Sequence, residues 1–166
     1  MNFNPYRYII KRYHSKNLTP KEFKLMNFWL PFFFNRIKIM TVSNDFKNID
    51  VILKHSFWNR NPNKSLWGGA LFSAVDPFYP IMIKQILLNS NINTIFLTKS
   101  AQIEYLKEAK TNILFSFSIT DNEIKHIKEM LNNKSKYDGW HTVYGLDLNN
   151  NRCIKARIQV YLKLRD

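Results

Sequence analysis

The chain of 166 residues is long enough to bury one sizeable core and too short for two ordinary domains. Hydrophobic residues at 45% and aromatics at 15% exclude a disordered chain, and the single cysteine, Cys153, excludes an internal disulfide framework and suits a reducing, cytoplasmic setting. The 25 Lys and Arg against 12 Asp and Glu give a net +13 that attracts polyanions, but the lysines are scattered over nearly every segment, as compositional drift produces, so nucleic-acid binding is not expected.

The first 21 residues hold no acidic group and include Arg7, Lys11, Arg12, Lys16 and Lys21. That composition faintly resembles an organelle-targeting leader, but residues 1–18 are expected to be a basic lead-in packing Tyr6, Tyr8 and Ile9 on a single domain of residues 19–166. Thr19, Pro20 and Glu22 form a helix start: a threonine cap, proline at the first position and glutamate three after the cap. The helix is expected to reach about Leu30, where Pro31 ends it. The oily run Leu25 to Phe34 is ten residues long and broken by that proline, well short of the roughly 20 that a membrane-spanning helix needs.

Ile37 to Ser43 and Ile49 to His55 read as strands joined by a polar turn. A structure-poor loop from Asn59 to Ser65 then delivers the chain to Gly68. From Gly69 to Leu88 the apolar density is nearly all-round, which predicts a helix buried on most sides, bent where Pro77 and Pro80 free the carbonyls of Ser73 and Asp76. Two β-rich runs follow, Asn93 to Lys107 and Thr111 to Thr120, expected to be antiparallel neighbours. Thr120 or Asp121 caps a short helix with Ile124, Ile127 and Leu131 on one stripe. Trp140 to Leu148 and Cys153 to Leu164 pair across a turn at Asn149 to Asn151. The order predicts an α+β hotdog fold, an antiparallel β-sheet wrapped around a long central helix, because a flat sheet would leave too much of that helix wet.

Two of the chain's four glycines stand together, Gly68 and Gly69, at the start of that helix. Helix starts leave amides unpaired and hold anions or polarised carbonyls, and glycine lets a ligand approach the backbone closely; tight helix–sheet packing explains the pair equally well. Asp76 follows Gly69 by two turns, among apolar neighbours where a carboxylate is costly without partners or a task. An aspartate before proline is also a common helix cap, so Asp76 either caps a second segment or supplies chemistry.

The stretch NPNKSLWGGALFSAVD, Asn61 to Asp76, resembles the active-site signature of hotdog-fold acyl-CoA thioesterases of the phenylacetyl-CoA (PaaI-like) type. Their motif is N-P-x-G-x-x-H-G-G with an acidic residue seven positions after the second glycine, and Asn61, Pro62, Gly68, Gly69 and Asp76 fall in register. A closer likeness, covering most of residues 20 to 165, is to an uncharacterised thioesterase-like hotdog family, a domain of unknown function. Its pattern reappears in FWLPFFFNRIKI (Phe28 to Ile39), GGALFSAVDPF and TKSAQIEYLK (Thr98 to Lys107).

The resemblance implies acyl-CoA hydrolysis in which the Gly69 amide polarises the thioester carbonyl, Asp76 acts as general base or nucleophile, and Asn61 orients carbonyl or water. Gly68, Trp67, Ser73 and Lys64 would line the substrate site. Gly69 and Asp76 stand about 10 Å apart along a helix, too far to act on one carbonyl, so the two come from different subunits of a homodimer, a dimer of dimers being left open. Trp67 replaces the family's histidine and Lys64 its loop glycine; tryptophan cannot accept a proton, which opens the alternative of a non-catalytic acyl-CoA-binding hotdog module. Ser73 is placed to hydrogen-bond Asp76 or the freed backbone. No cofactor or metal is expected: His55, His126 and His141 are dispersed without ligand spacing and belong at surfaces or strand ends.

Overall fold

Thr19 starts the first helix through a complete capping box, in which its Oγ1 accepts the Glu22 amide at 3.2 Å and the Glu22 carboxylate accepts the Thr19 amide at 2.9 Å. Such a cap contributes about 1 kcal/mol. The computed structural model describes residues 17–165, so the expected packing of Tyr6, Tyr8 and Ile9 lies outside the described residues. Helix α1 (Pro20–Phe23) passes into a 3-10 turn over Lys24–Phe28 and stops at Trp29, whose backbone is extended. Pro31 does not end a helix. It sits in the first turn of α2 (Leu30–Asn35), where its missing amide forfeits no hydrogen bond, and α2 ends instead at Arg36 in a left-handed cap with φ 63°.

Strands β1 (Ile37–Val42) and β2 (Asn48–Leu53) form the expected antiparallel pair. Strand β3 (Thr94–Tyr105) and β4 (Ile113–Ser118) are not neighbours: β4 lies between β2 and β5 (Lys136–Leu146), while β3 pairs with β6 (Arg152–Leu164). The six-stranded order is β1-β2-β4-β5-β6-β3. Only three residues, Glu108 to Lys110, separate the expected runs, which suggests a hairpin, but the chain crosses the sheet there. It does so because β4 shares an inward apolar face (Ile113, Phe115, Phe117) with β2 (Ile49, Val51, Leu53), all at 1% exposure or less. The long β5–β6 hairpin forms as expected. Its turn is held by Asp147, whose carboxylate accepts the Asn149 and Asn151 amides, each at 2.9 Å, and the Lys107 ammonium at 3.2 Å.

The central rod runs in two pieces, α3 (Gly68–Ser73) and α4 (Phe78–Asn89). The break at residues 74–77 is where Pro77 and Pro80 withdraw amides from the ladder; the Asp76 amide still reaches the Phe72 carbonyl at 3.1 Å. Ten of the twelve α4 residues are buried, as the all-round apolar sequence requires. Over Gly68–Asn89 the rod is long and apolar enough to cross a bilayer by composition, but two-thirds of its most apolar stretch is buried against the sheet. Phe78 carries the packing, its ring 5.6 Å from Phe32 and 4.8 Å from Phe117. One charge breaks the pattern: Lys84 is buried, with its ammonium donating to Asn93 Oδ1 at 2.6 Å and to the Thr94 carbonyl, and burial, helped by the Arg165 charge, lowers its pKa to about 8. Helix α5 (Asp121–Lys134) starts on a Thr120 capping box and buries Ile124, Ile127 and Leu131. This is the hotdog arrangement, with β3 as a twelve-residue edge on the side of the rod.

Candidate functional site

Each end of β3 borders an open cleft beside the rod. The first, of about 520 Å³, is lined at the glycine end by Asn61, Ser65, Gly68, Leu71 and Tyr105 and by the residues following β3. The second, of about 380 Å³, is lined by Asp76, Pro77, Pro80, Ile81, Phe96 and Thr98. No residue belongs to both. Within one chain, Asn61 and Gly68 therefore share a cavity, and Asp76 faces another.

The loop before α3 is built to present its amides. Its shape comes from Asn61, whose Nδ2 donates to Ser65 Oγ at 2.9 Å and whose Oδ1 accepts the Ser65 amide at 3.2 Å. The Asn61 amide expected to orient substrate or water is thus already engaged in bracing the loop. Lys64, at the position of the family's loop glycine, has φ 62°, a left-handed backbone that glycine adopts without penalty. Its side chain is exposed and lines neither cavity. Trp67 caps α3 without a side-chain bond; its carbonyl accepts the Ala70 and Leu71 amides, and the Gly68 and Gly69 amides precede that first helical bond.

Both glycines lie under the ends of exposed aromatic rings. A Cβ at Gly68 would meet the Tyr105 hydroxyl at 2.8 Å, and that hydroxyl donates to the Gly68 carbonyl at 3.2 Å. A Cβ at Gly69 would lie 2.1 Å from the Trp67 ring, so the indole that replaces the family's histidine lies across the second glycine. Trp67 remains half exposed there, at 48%. Ser73 does not reach Asp76; its Oγ donates back to the Gly69 carbonyl at 2.8 Å, one turn earlier on the same helix.

Asp76 is half-buried in the break of the rod. It does not cap α4: the capping position is Pro77, with no side-chain bond to the helix. Burial among Pro77, Pro80, Ile81 and Phe96 raises the carboxyl pKa above its ordinary value, partly offset by the Thr98 hydroxyl. Thr98 Oγ1 also donates to the Asp76 carbonyl at 3.3 Å, one of the two freed by proline. Phe96, Thr98 and Tyr105 were not singled out in the sequence as site residues. The signal available was the alternation along β3, interrupted by a bulge between Thr98 and Ser100 that keeps both ends of the strand facing the rod.

His141 departs from its expected place. At 4% exposure it lies in mid-strand, stacked on Tyr79 at 4.9 Å with Nε2 3.2 Å from the Tyr137 hydroxyl; burial lowers its pKa, and Glu123 opposes that shift. It lines neither cavity.

Comparison with known proteins gives the family and the fold. The model of the family described as a domain of unknown function, DUF4442, matches residues 22–162. No curated protein matches the chain at a significant level. Among solved structures, a Pseudomonas aeruginosa protein of unknown function, described as a probable thioesterase, superposes with a TM-score of 0.74 at 12% identity, covering 90% of this chain and 100% of its own. Zebrafish thioesterase superfamily member 2 gives 0.60 at 14%, over 87% and 98% of the two chains. The PaaI protein from the Escherichia coli phenylacetic acid degradation operon gives 0.55 at 12%, over 80% and 81%. At such identities the likeness is one of fold. The chain belongs to the DUF4442 domain family, and its fold is the hotdog fold of these thioesterases.

Proposed function

We propose that the protein is a homodimeric hydrolase of acyl thioesters, with acyl-CoA as the expected substrate class. The observation that carries this reading is the division of chemistry between the two ends of a strand whose outer edge has no strand partner among the described residues. A carboxylate poised to take a proton stands at one end, and bare helix-start amides stand at the other. Antiparallel pairing of β3 with its copy brings unlike ends together. A register that sets Thr98 beside the partner's Tyr105 has its two-fold axis between Ala101 and Gln102, and it sets Lys99 opposite the partner's Glu104. Pairing would also cover a long exposed edge that otherwise invites aggregation.

In that arrangement the thioester carbonyl lies against the Gly68 and Gly69 amides of one subunit, beside Asp76 of the other. Asp76 takes a proton from water as the water oxygen bonds to the carbonyl carbon, and the amides hold the oxyanion. The carbon–sulfur bond then breaks, and Asp76 returns the proton to the departing thiolate, leaving a free acid and a thiol. Direct attack by the carboxylate, through an anhydride that water then opens, uses the same contacts. Thiol release measured over a panel of acyl-CoAs tests the reading. Wild type should release thiol and Asp76→Asn should not.

Two observations favour a second reading, an acyl-CoA-binding module without turnover: the Trp67 ring lies across Gly69, and the Asn61 amide is held by Ser65. Calorimetric binding of a non-hydrolysable acyl-CoA analogue, with no thiol release from any acyl-CoA by wild type, would select it.

A further inference from the structure

The two segments flanking the helix start expose aromatic side chains to an unusual degree. On the 3-10 turn and α2, Phe28 is 76%, Phe33 53% and Phe34 64% exposed; on the short 3-10 turn Phe57–Asn59, Phe57 is 74% and Trp58 78% exposed. The two segments adjoin, because Asn59 Nδ2 donates to the last carbonyl of α2, at Asn35, at 2.8 Å. None of these five residues lines either cavity; Phe28, Phe57 and Trp58 stand on 3-10 turns and Phe33 and Phe34 on α2.

The chain segments that carry them hold charge of one sign. No acidic residue occurs from Phe23 to Asn44 or from Val51 to Val75, whereas Lys24, Arg36, Lys38, Lys54, Arg60 and Lys64 all fall in those stretches. Arg60 stacks its guanidinium 5.1 Å from the centre of the Phe57 ring. A second copy meeting this face by two-fold symmetry would set cations against cations, which disfavours a self-interface. Projecting Phe and Trp rings within a field of Lys and Arg match the interface of an anionic bilayer, where rings enter the headgroup region and cations meet the phosphates.

We propose that this face docks the protein on anionic lipid surfaces, with Phe57 and Trp58 as the inserting pair. The same turn accepts the Trp67 amide at the Asn59 carbonyl, 3.0 Å away, so the docked face borders the helix start. An acyl thioester anchored in the bilayer by its chain would then reach the site without crossing bulk water. That last step rests on the thioesterase reading, but the docking does not.

The test is co-sedimentation of the full chain with vesicles of phosphatidylcholine alone or with roughly 30% phosphatidylglycerol, in about 0.15 M NaCl. Wild type and Asp76→Asn should both partition at least about 10-fold better to the anionic vesicles. The double variant Phe57→Ser, Trp58→Ser should lose about 10-fold or more of that partition, with an unchanged melting curve because both side chains are solvent-exposed. Retention of Asp76→Asn separates a failure of docking from a failure of the hydrolase reading. Folded wild type that stays in the supernatant overturns the proposal. So does equal sedimentation of the double variant, which would reduce binding to net charge, or a change in its oligomeric state by light scattering, which would give the face to a second copy.

Discussion

The glycine end and the aspartate end of the rod solve opposite problems. At the glycine end the backbone is held open: Asn61 braces a polar loop, Lys64 accepts a left-handed conformation, and the Gly68 and Gly69 amides are left without helical partners. At the aspartate end the surroundings are more apolar, with two prolines, Ile81 and Phe96 beside the Thr98 hydroxyl around one half-buried carboxylate. Donors that stabilise developing negative charge need access to the substrate, whereas a base gains strength from desolvation. Placing the two at opposite ends of one strand lets each have the surroundings it needs, and the proposed two-fold axis would reunite them.

The largest effect that sharpens this contrast comes from Asp76→Asn, which should lower acyl-CoA hydrolysis by about 10²- to 10⁴-fold. Its stability should move the other way. The folded pKa of Asp76 is raised, so the carboxyl favours the native state below its unfolded pKa, and that contribution is lost as pH rises through the folded pKa. At neutral pH the amide removes this burden, and the melting temperature should be unchanged or higher, readable by calorimetry. A capping aspartate would give the reverse. Wild-type hydrolysis should correspondingly rise with pH through an apparent pKa above the ordinary aspartate value.

Phe78→Ala tests the aspartate end as a packed support. With its ring fully buried between Phe32 and Phe117, its loss should cost about 3–5 kcal/mol in denaturant unfolding. Glu104→Lys tests the strand between the ends. In the proposed register it sets lysine opposite Lys99 twice per dimer, costing about 0.2–1 kcal/mol for each pair and raising the dissociation constant measured by sedimentation. The smallest effect belongs to the open end: Lys64→Gly should stabilise the protein by about 0.5–1 kcal/mol by removing the left-handed penalty.

Much of this layout was readable from residue order. The capping box at Thr19, a helix start at Thr120 or Asp121 and the all-apolar rod are legible because each depends on local chemistry or on an unbroken apolar run; the structure decides the second start for Thr120. Pro31 is ambiguous in the sequence because proline both stops one helix and starts the next, and only the extended backbone at Trp29 decides between them. The separation of β3 from β4 was not readable either, since β4 has matching apolar faces available on two other strands. At the site, the spacing of Gly69 and Asp76 required two different locations, but nothing local revealed Thr98 as the neighbour of Asp76. That contact joins residues 22 positions apart through the sheet. The burial of His141 was equally hidden, because its shelter comes from Tyr79 on the rod and Tyr137 on its own strand.

Mixing two dead chains tests the shared site most directly. Asp76→Asn removes the base, and Gly69→Val drives a side chain into the Trp67 ring at the helix start. If each centre draws one part from each subunit, the mixed dimer holds one intact centre and one doubly damaged one. After random subunit exchange, half the dimers are mixed, so hydrolysis should return to about a quarter of the wild-type rate. A mixture that exchanges subunits, shown by a fluorescent label, yet stays as inactive as its parents would contradict the account.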